Sequence, residues 1–437
     1  MKRYYPAGAY APADASSLES ATYLKVTLRL IPFLFICYVT AYLDRVNVGF
    51  AKLQMLDDLQ FSEAVYGLGA GIFFFGYLIF EVPSNLLLHR IGARVCISRI
   101  MISWGLISGA MMFVNSPATF YVLRFLLGVA EAGFLPGVIL YLTYWYPPSR
   151  RAKVTALFMS AIPMAGVVGG PLSGWIMVAF AGVNGWAGWQ WMFLIEAVPS
   201  VLIGLAAFFY LDDGIRKAKW LSEEEKTLLE NNIAKEALKD ACHSLRGVLG
   251  NAKVWLCCLI YFCFVMGVYG VSFWLPSMIK ASGIDNPLQI GLLSTIPYAA
   301  AVVGMILVGR HADRTQERRW HLAIPAMIGA LGLVVSAAFS DNTVVTLAAL
   351  TVATFGIMTT TPLFWSLPTA FLGGAAAAAG IAMINSLGSM AGFVSPYIMG
   401  WIKQLTGSHD LGIYLIAVSL LIGAGLVLAM PRRVVDR

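Results

Sequence analysis

A chain of 437 residues that is 59% hydrophobic and 12% charged, with a mean hydropathy of +0.75, lies far from the roughly 25% charge of a soluble protein. That composition excludes two or three water-facing domains and selects one large membrane bundle. The net charge of +7 would suit nucleic acid only if it formed a patch, so its distribution decides its meaning.

Segment 1–26 is polar and reads as a cytoplasmic tail without the short apolar core and cleavage site of a signal peptide. Apolar stretches of about twenty residues, the length that crosses the hydrocarbon core, then centre near Ile36, Phe75, Ser103, Gly133, Met164 and Leu202. The polar interruption 212–250 follows. Within it Ser222, Glu223, Glu224 and Glu225 predict a capping box. The box opens a charged helix with Leu228, Leu229 and Ile233 as a thin apolar stripe, suited to lie under the bundle. Six further stretches centre near Met266, Val302, Gly329, Thr354, Ile384 and Leu420, and 431–437 forms a second tail. The expected protein is all-α, with twelve transmembrane helices in two six-helix bundles, 27–211 and 251–430, joined by the cytoplasmic loop 212–250.

Alternating these spans across a bilayer places 25 of the 30 Lys and Arg residues on the starting side. They include Lys2, Arg3, Lys25, Arg29, Arg90, Arg94, Arg99, Arg150, Arg151, Lys153, the basic residues of 216–253 and 310–319, and Arg432, Arg433 and Arg437. Only Lys52, Lys280 and Lys403 fall on the other side, while Arg45 and Arg124 lie within spans. This is the positive-inside pattern, and it puts both termini in the cytoplasm. The basic balance is therefore a topology signal and no nucleic-acid role is expected. Cys37, Cys96, Cys242, Cys257, Cys258 and Cys263 avoid the outer loops and have no metal-site spacing with His, so neither disulfide nor metal is expected.

The halves repeat. Met164, Ala165, Gly166, Val168, Gly174 and Trp175 recur 226 residues later as Met390, Ala391, Gly392, Val394, Gly400 and Trp401. Asn85 to Arg90, after the second stretch, corresponds to Gly309 to Arg314, after the eighth. Two six-span halves in parallel repeat suit alternating access, in which similar bundles rock about a site between them.

The loop after the eighth stretch carries Gly309, Asp313, Arg314, Glu317, Arg318 and Arg319. It resembles the loop motif of the major facilitator superfamily. The first copy keeps Arg90, Gly92 and Arg94, but His89 replaces the acid. The resemblance makes both loops gating elements. A narrower resemblance rests on Tyr42, Leu43, Asp44, Arg45, Val46, Asn47, Val48, Gly49, Phe50 and Ala51; on Arg124, Gly128, Glu131 and Pro136; and on Tyr269, Gly270, Trp274, Leu275 and Pro276. Together these are similar to the anion:cation symporter family, over nearly the whole chain. Residues 69–94 and Tyr141, Leu142, Thr143, Tyr144 and Trp145 most resemble permeases for tartrate, phthalate and related carboxylates. The resemblance implies Tyr42, Tyr77, Tyr269, Trp365 and Asn385 as cavity residues.

Physics singles out the intramembrane charges, since each costs about 2.5–3.5 kcal/mol at mid-bilayer on the lenient scale. Asp44, Arg45, Glu81, Arg124, Glu131 and Glu196 all lie in the first half. The second half offers neutral groups: Tyr269, Tyr298, Thr359, Thr360, Thr361, Trp365, Asn385 and Ser386. Arg45 presents a planar fork matched to a carboxylate and is the first choice for binding an anionic solute. Its alternative role is as a fixed partner of Asp44 or Glu131. Proton coupling needs a carboxyl on which burial and a nearby Arg act in opposite senses. Arg124, Gly128 and Glu131 share one helix face, which gives Glu131 both influences. Asp44 and Glu131 are the expected proton carriers; alternatively one is a fixed ion pair, with Arg124 the expected mate. Glu81 before Pro83, and Glu196 near Pro199, are expected to hydrogen-bond broken-helix backbone. The glycine-rich stretches 166–174 and 373–400 read as close helix packing, not phosphate loops, and the alanine run 375–379 as a connection.

The leading expectation is a monomeric symporter of the bacterial inner membrane. It imports a small organic anion with protons, and the proton gradient replaces any cofactor. One rival is a proton–drug antiporter, supported by Gly166, Gly169, Gly170 and Pro171. Another is a membrane sensor without flux, which would need a long soluble domain. An enzyme fits least, because no span pairs a nucleophile with a His base.

Overall fold

The structure is a computed structural model that describes residues 13–237, 250–371 and 374–431. Lys2, Arg3, Cys242, Arg432, Arg433 and Arg437 lie outside them, as do the side chains of Asn85, His89 and 375–379. Among the described residues, twelve helices are long and apolar enough to cross a membrane. Spans 1 to 6 are Ser17–Leu59, Glu63–Leu88, Ala93–Phe113, Pro117–Thr143, Lys153–Ala179 and Gly188–Tyr210. Spans 7 to 12 are Ala252–Ala281, Pro287–Thr315, Arg319–Ala338, Thr343–Thr369, Gly380–Thr406 and Asp410–Ala429. No strand occurs among the described residues. This is what hydrocarbon demands of a chain whose every backbone donor must be satisfied internally.

The repeat seen in the sequence recurs in the local structure. Ser62 and Ser116 cap spans 2 and 4, accepting from Val65 N at 3.2 Å and Thr119 N at 3.3 Å. Asn286 and Asn342 cap spans 8 and 10 in the same way, from Leu288 N at 2.9 Å and Val345 N at 3.1 Å. Each cap satisfies donors that a helix N-terminus leaves open. Span 4 breaks between Glu131 and Phe134, and its counterpart, span 10, breaks at Trp365. Span 5 breaks at Ser160 and its counterpart, span 11, at Met390. Packing repeats too: span 3 runs along span 6 as span 9 runs along span 12, and span 2 along span 4 as span 8 along span 10.

The two halves meet chiefly through span 5 against span 8 and span 2 against span 11. Both contacts lie toward the face opposite the chain termini. A Cβ on Gly170 would stand 2.6 Å from the Gly291 carbonyl, and one on Gly67 2.6 Å from the Pro396 carbonyl. Only glycine allows backbones this close. That face is therefore sealed by main chain. At the termini-bearing face, helix Glu223–Ala237 opens on the capping box, with Glu225 N to Ser222 Oγ at 3.2 Å and Ser222 N to Glu225 Oε2 at 2.8 Å. Leu229 of its apolar stripe is buried, and Lys25 of span 1 pairs with Glu225 at 2.9 Å.

Candidate functional site

A cavity lies between the halves. Tyr42, Arg45 and Tyr77 line it from the first half, and Tyr269, Thr361 and Asn385 from the second. An apolar pocket beside it is walled by Met159, Ile162, Val268, Met305 and Met358. Four aromatic and amide residues expected at the site, Tyr42, Tyr77, Tyr269 and Asn385, are therefore in it. Trp365 is not among the lining residues. It packs on Tyr261 at 4.9 Å between ring centroids, at the break of span 10.

Arg45 is the centre of the site. Its Nη2 and Nε donate to the two carboxylate oxygens of Glu131, the Nε bond at 3.3 Å. Its Nη1 donates to the Tyr269 hydroxyl at 3.0 Å, across the gap between halves. The rings of Phe73, Tyr42 and Tyr77 stand 5.4, 5.5 and 5.8 Å from the guanidinium carbon, a cation–π enclosure. Arg45 and Glu131 are 6% and 2% exposed, so each charge depends on the other.

Arg124 is not the mate of either acid. It donates to the carbonyls of Gly69 at 3.2 Å, Ala70 at 3.2 Å and Arg45 at 3.3 Å. The expectation of an Arg124 ion pair gives way to a backbone staple joining spans 1, 2 and 4. Gly128, one turn on, lets span 4 press against the Phe73 carbonyl of span 2, where any Cβ would collide.

Asp44 points away from Arg45, as neighbours on a helix must. It is 2% exposed and accepts from Trp104 Nε1 at 3.1 Å, Ser108 Oγ at 3.0 Å and the Ser200 hydroxyl. All three donors are neutral. Asp44 thus sits behind the cavity wall, not beside the guanidinium.

Glu81 and Glu196 also differ from expectation. Both are bound by side chains rather than by broken-helix backbone. Glu81 accepts from Asn385 Nδ2 and Ser386 Oγ of the other half, each at 3.0 Å. Glu196 accepts from Ser173 Oγ at 2.6 Å and Asn47 Nδ2 at 3.0 Å. Prolines free carbonyls, which are acceptors, and a carboxylate needs donors; the hydroxyls and amides of neighbouring spans supply them. Further lining residues went unnoticed in the sequence. Tyr38 lies one turn before Tyr42, and Tyr261 about two turns before Tyr269. That helical spacing from the residues already singled out is the signal that marks them.

The loop motifs lie apart from the cavity. In the first, Gly92 has φ +89° and Arg94 N donates to Asp213 Oδ1 at 3.1 Å. The acid missing at His89 is thus matched by one from the chain beyond span 6. Arg90 is exposed, and the Arg94 guanidinium stands 4.8 Å from the Phe208 ring centroid. In the second copy Asp313 pairs with Arg318 at 2.8 Å, while Gly309 is half-buried and Arg314 exposed near the end of span 8.

Residues 34–396 match the family model described as Major Facilitator Superfamily. The "Putative metabolite transport protein NicT" of Pseudomonas putida is 50% identical over 97% of this chain and 98% of that protein. A "Putative tartrate transporter" of Agrobacterium vitis is 49% identical over 95% and 96%. A "Quinolone resistance transporter" of Acinetobacter baumannii is 43% identical over 91% and 92%. Among solved structures, the xylose transporter XylE from E. coli, partially occluded and inward open, shares the fold with a TM-score of 0.74. It is 14% identical over 93% of this chain and 98% of that one.

Proposed function

The chain belongs to the major facilitator superfamily of transporters, and we propose that it imports a small organic carboxylate, tartrate-like in class, together with protons. The observation that carries this reading is the Arg45–Glu131 pair at the cavity wall, tied to the opposite half through Tyr269.

Glu131 occupies the guanidinium edge formed by Nε and Nη2, and Tyr269 holds Nη1 of the other edge. A solute carboxylate competes for the same donors. Protonation of Glu131 removes its charge and releases the fork, which then takes the solute. Loss of that proton on the other side restores the internal pair and expels the anion. Proton and solute therefore bind together because neither complex is electrically satisfactory without the other. Asp44, buried among neutral donors, is the second proton carrier. Tyr42, Tyr77, Tyr269 and Asn385 supply hydrogen bonds to the remainder of the solute. Tyr269 and Asn385 belong to the second half, so their contacts draw the halves together. In the cell the termini-bearing face is the cytoplasmic one, a reading that the distribution of basic residues supports.

Export of drugs is the competing reading, favoured by the name of the Acinetobacter relative. The glycine–proline stretch that suggested it is engaged otherwise. Gly166 packs on Tyr298 and Gly170 on Gly291, as part of the seal. The deciding experiment is uptake of labelled tartrate and phthalate into proteoliposomes, with and without an inward proton gradient, for wild type and Arg45→Ala. Gradient-driven accumulation abolished by Arg45→Ala is expected. No accumulation of either acid by folded protein, with gradient-driven export of a quinolone, overturns the reading.

A further inference from the structure

Lys52, Lys280 and Lys403 are the three basic residues that the charge distribution leaves on the far side, in spans 1, 7 and 11. The fold gathers them at the sealed face, Lys52 and Lys403 on one carboxylate and Lys280 beside them. Lys52 Nζ stands 2.7 Å from Glu63 Oε2, and Lys403 Nζ pairs with Glu63 Oε1. Lys280 Nζ donates to the Leu53 carbonyl at 3.2 Å, next to Lys52 in the chain. The Lys52 side chain is 4% exposed, and its ammonium lies 3.5 Å from the ring centroid of Trp274.

Two ring nitrogens in the same cluster lack a hydrogen-bond partner. Trp274 is fully buried and its Nε1 has no acceptor. His409, 8% exposed, meets Trp274 edge to face at 5.2 Å, and its Nε2 is also unpartnered. Burial, then the cations of Lys403 and Lys52, push the His409 imidazole down to about 2, so it is neutral there. A buried indole N–H without an acceptor is costly, and the two ammonium groups paired on Glu63 exceed what one carboxylate can balance. The cluster has room in its bonding for another anion.

The groups divide unequally between the halves. Lys52 and Glu63 both belong to the first; Lys280, Lys403, Trp274 and His409 belong to the second. When the halves part, Glu63 remains with Lys52. Lys280 loses the Leu53 carbonyl and Lys403 loses its carboxylate. The second half has no buried acid among the described residues to replace them.

We propose that this cluster is a recruitment site for the anionic solute, in which Lys280, Lys403 and the Trp274 Nε1–H receive a carboxylate where Glu63 sits in the sealed state. The proposal rests on the reading of the solute as an organic anion. Glu63 is the built-in substitute for the solute carboxylate: it closes the mouth when no solute is there and yields when one arrives. The solute then moves inward to Arg45, and Glu63 recovers the lysines behind it.

The test compares tartrate uptake by intact cells with the reverse movement in inside-out vesicles, for wild type and the double variant Lys280→Gln/Lys403→Gln. Electrostatic recruitment is worth 10- to 10³-fold in association rate, so KM for uptake should rise at least about tenfold while KM from the other face changes by less than about twofold. Lys280→Arg/Lys403→Arg should restore uptake KM. In wild type, uptake KM should climb with ionic strength, and the Gln pair should lose that dependence. The wild-type salt series stands even if the Gln pair fails to fold. A KM that is unchanged, that rises equally from both faces, or that ignores salt in wild type overturns the proposal. If wild type moves no carboxylate, this proposal and the functional reading both fall. If wild type moves tartrate and Arg45→Ala abolishes it, but the lysine pair is without effect, this proposal alone falls.

Discussion

The two halves share one helical plan but contribute different chemistry to the cavity between them. The first half holds Asp44, Arg45, Glu81, Arg124, Glu131 and Glu196, each buried. The second meets it with hydroxyls and an amide: Tyr269, Ser272, Asn385 and Ser386. The lesson concerns what must break when the halves move. The Arg45–Glu131 pair and the Arg124 staple lie wholly within one body and survive the motion. Around the cavity every bond named across the gap has at least one neutral partner: Arg45 to Tyr269, Tyr42 to Ser272, and Asn385 and Ser386 to Glu81. Each is worth about 0.5–1.5 kcal/mol net, or up to about 3 where one partner is charged. A buried ion pair severed at each cycle would cost more.

This contrast can be broken most severely at Arg45. Arg45→Ala should reduce uptake to background and destabilise the protein by about 3–5 kcal/mol, because Glu131 loses its counter-charge in a buried site. Thermal unfolding in detergent measures the second effect. Adding Glu131→Gln should recover stability but not transport; recovery of both would remove Arg45 from the solute's path. Next in size is Glu131→Gln alone. It leaves the guanidinium without a competing carboxylate, so solute exchange should persist while the proton gradient no longer drives accumulation. Counterflow measured beside gradient-driven uptake separates the two, and undiminished accumulation would return the coupling role to Asp44.

The second half should answer more mildly. Tyr269→Phe removes one hydrogen bond from the charged Arg45, about 1.5–3 kcal/mol, and should raise KM by roughly ten- to a hundredfold with coupling intact. A loss of coupling instead would mean that the halves do not divide the labour in this way. Smallest of all is Trp365→Phe. The ring packs on Tyr261 outside the cavity lining, so KM should stay within about twofold of wild type, as for a volume-reducing change away from the solute.

The spans were legible because a bilayer admits few backbones, and hydropathy reports them directly. Arg45 and Glu131 were legible for a related reason: charge in hydrocarbon is rare enough to draw attention by itself. Their pairing stood in the sequence only as the alternative role of Arg45, a fixed partner of Asp44 or Glu131. The expected mate, Arg124, lies two helical turns from Glu131 on the same face, whereas the observed one is 86 residues away in span 1. Sequence proximity favoured the wrong arginine because the bend after Glu131 and the close approach of spans 2 and 4 redirect both side chains. Glu81 reaches residues more than 300 positions away, a contact that exists only once the halves dock. Trp365 shows the converse. Its residue type and neighbourhood resembled a cavity group, but a break in span 10 turns it onto Tyr261.

The seal between spans 5 and 8 joins main chain to main chain at Gly170 and Gly291. Joint and cavity are thus written in different letters of the sequence. A protein engineer, or natural selection, can re-cut the cavity for a new solute by exchanging side chains such as Tyr77 or Asn385 without refitting the bearing on which the two bodies turn. The reverse does not hold. A single methyl group added at Gly170 leaves the cavity chemically intact and jams the machine for every cargo alike.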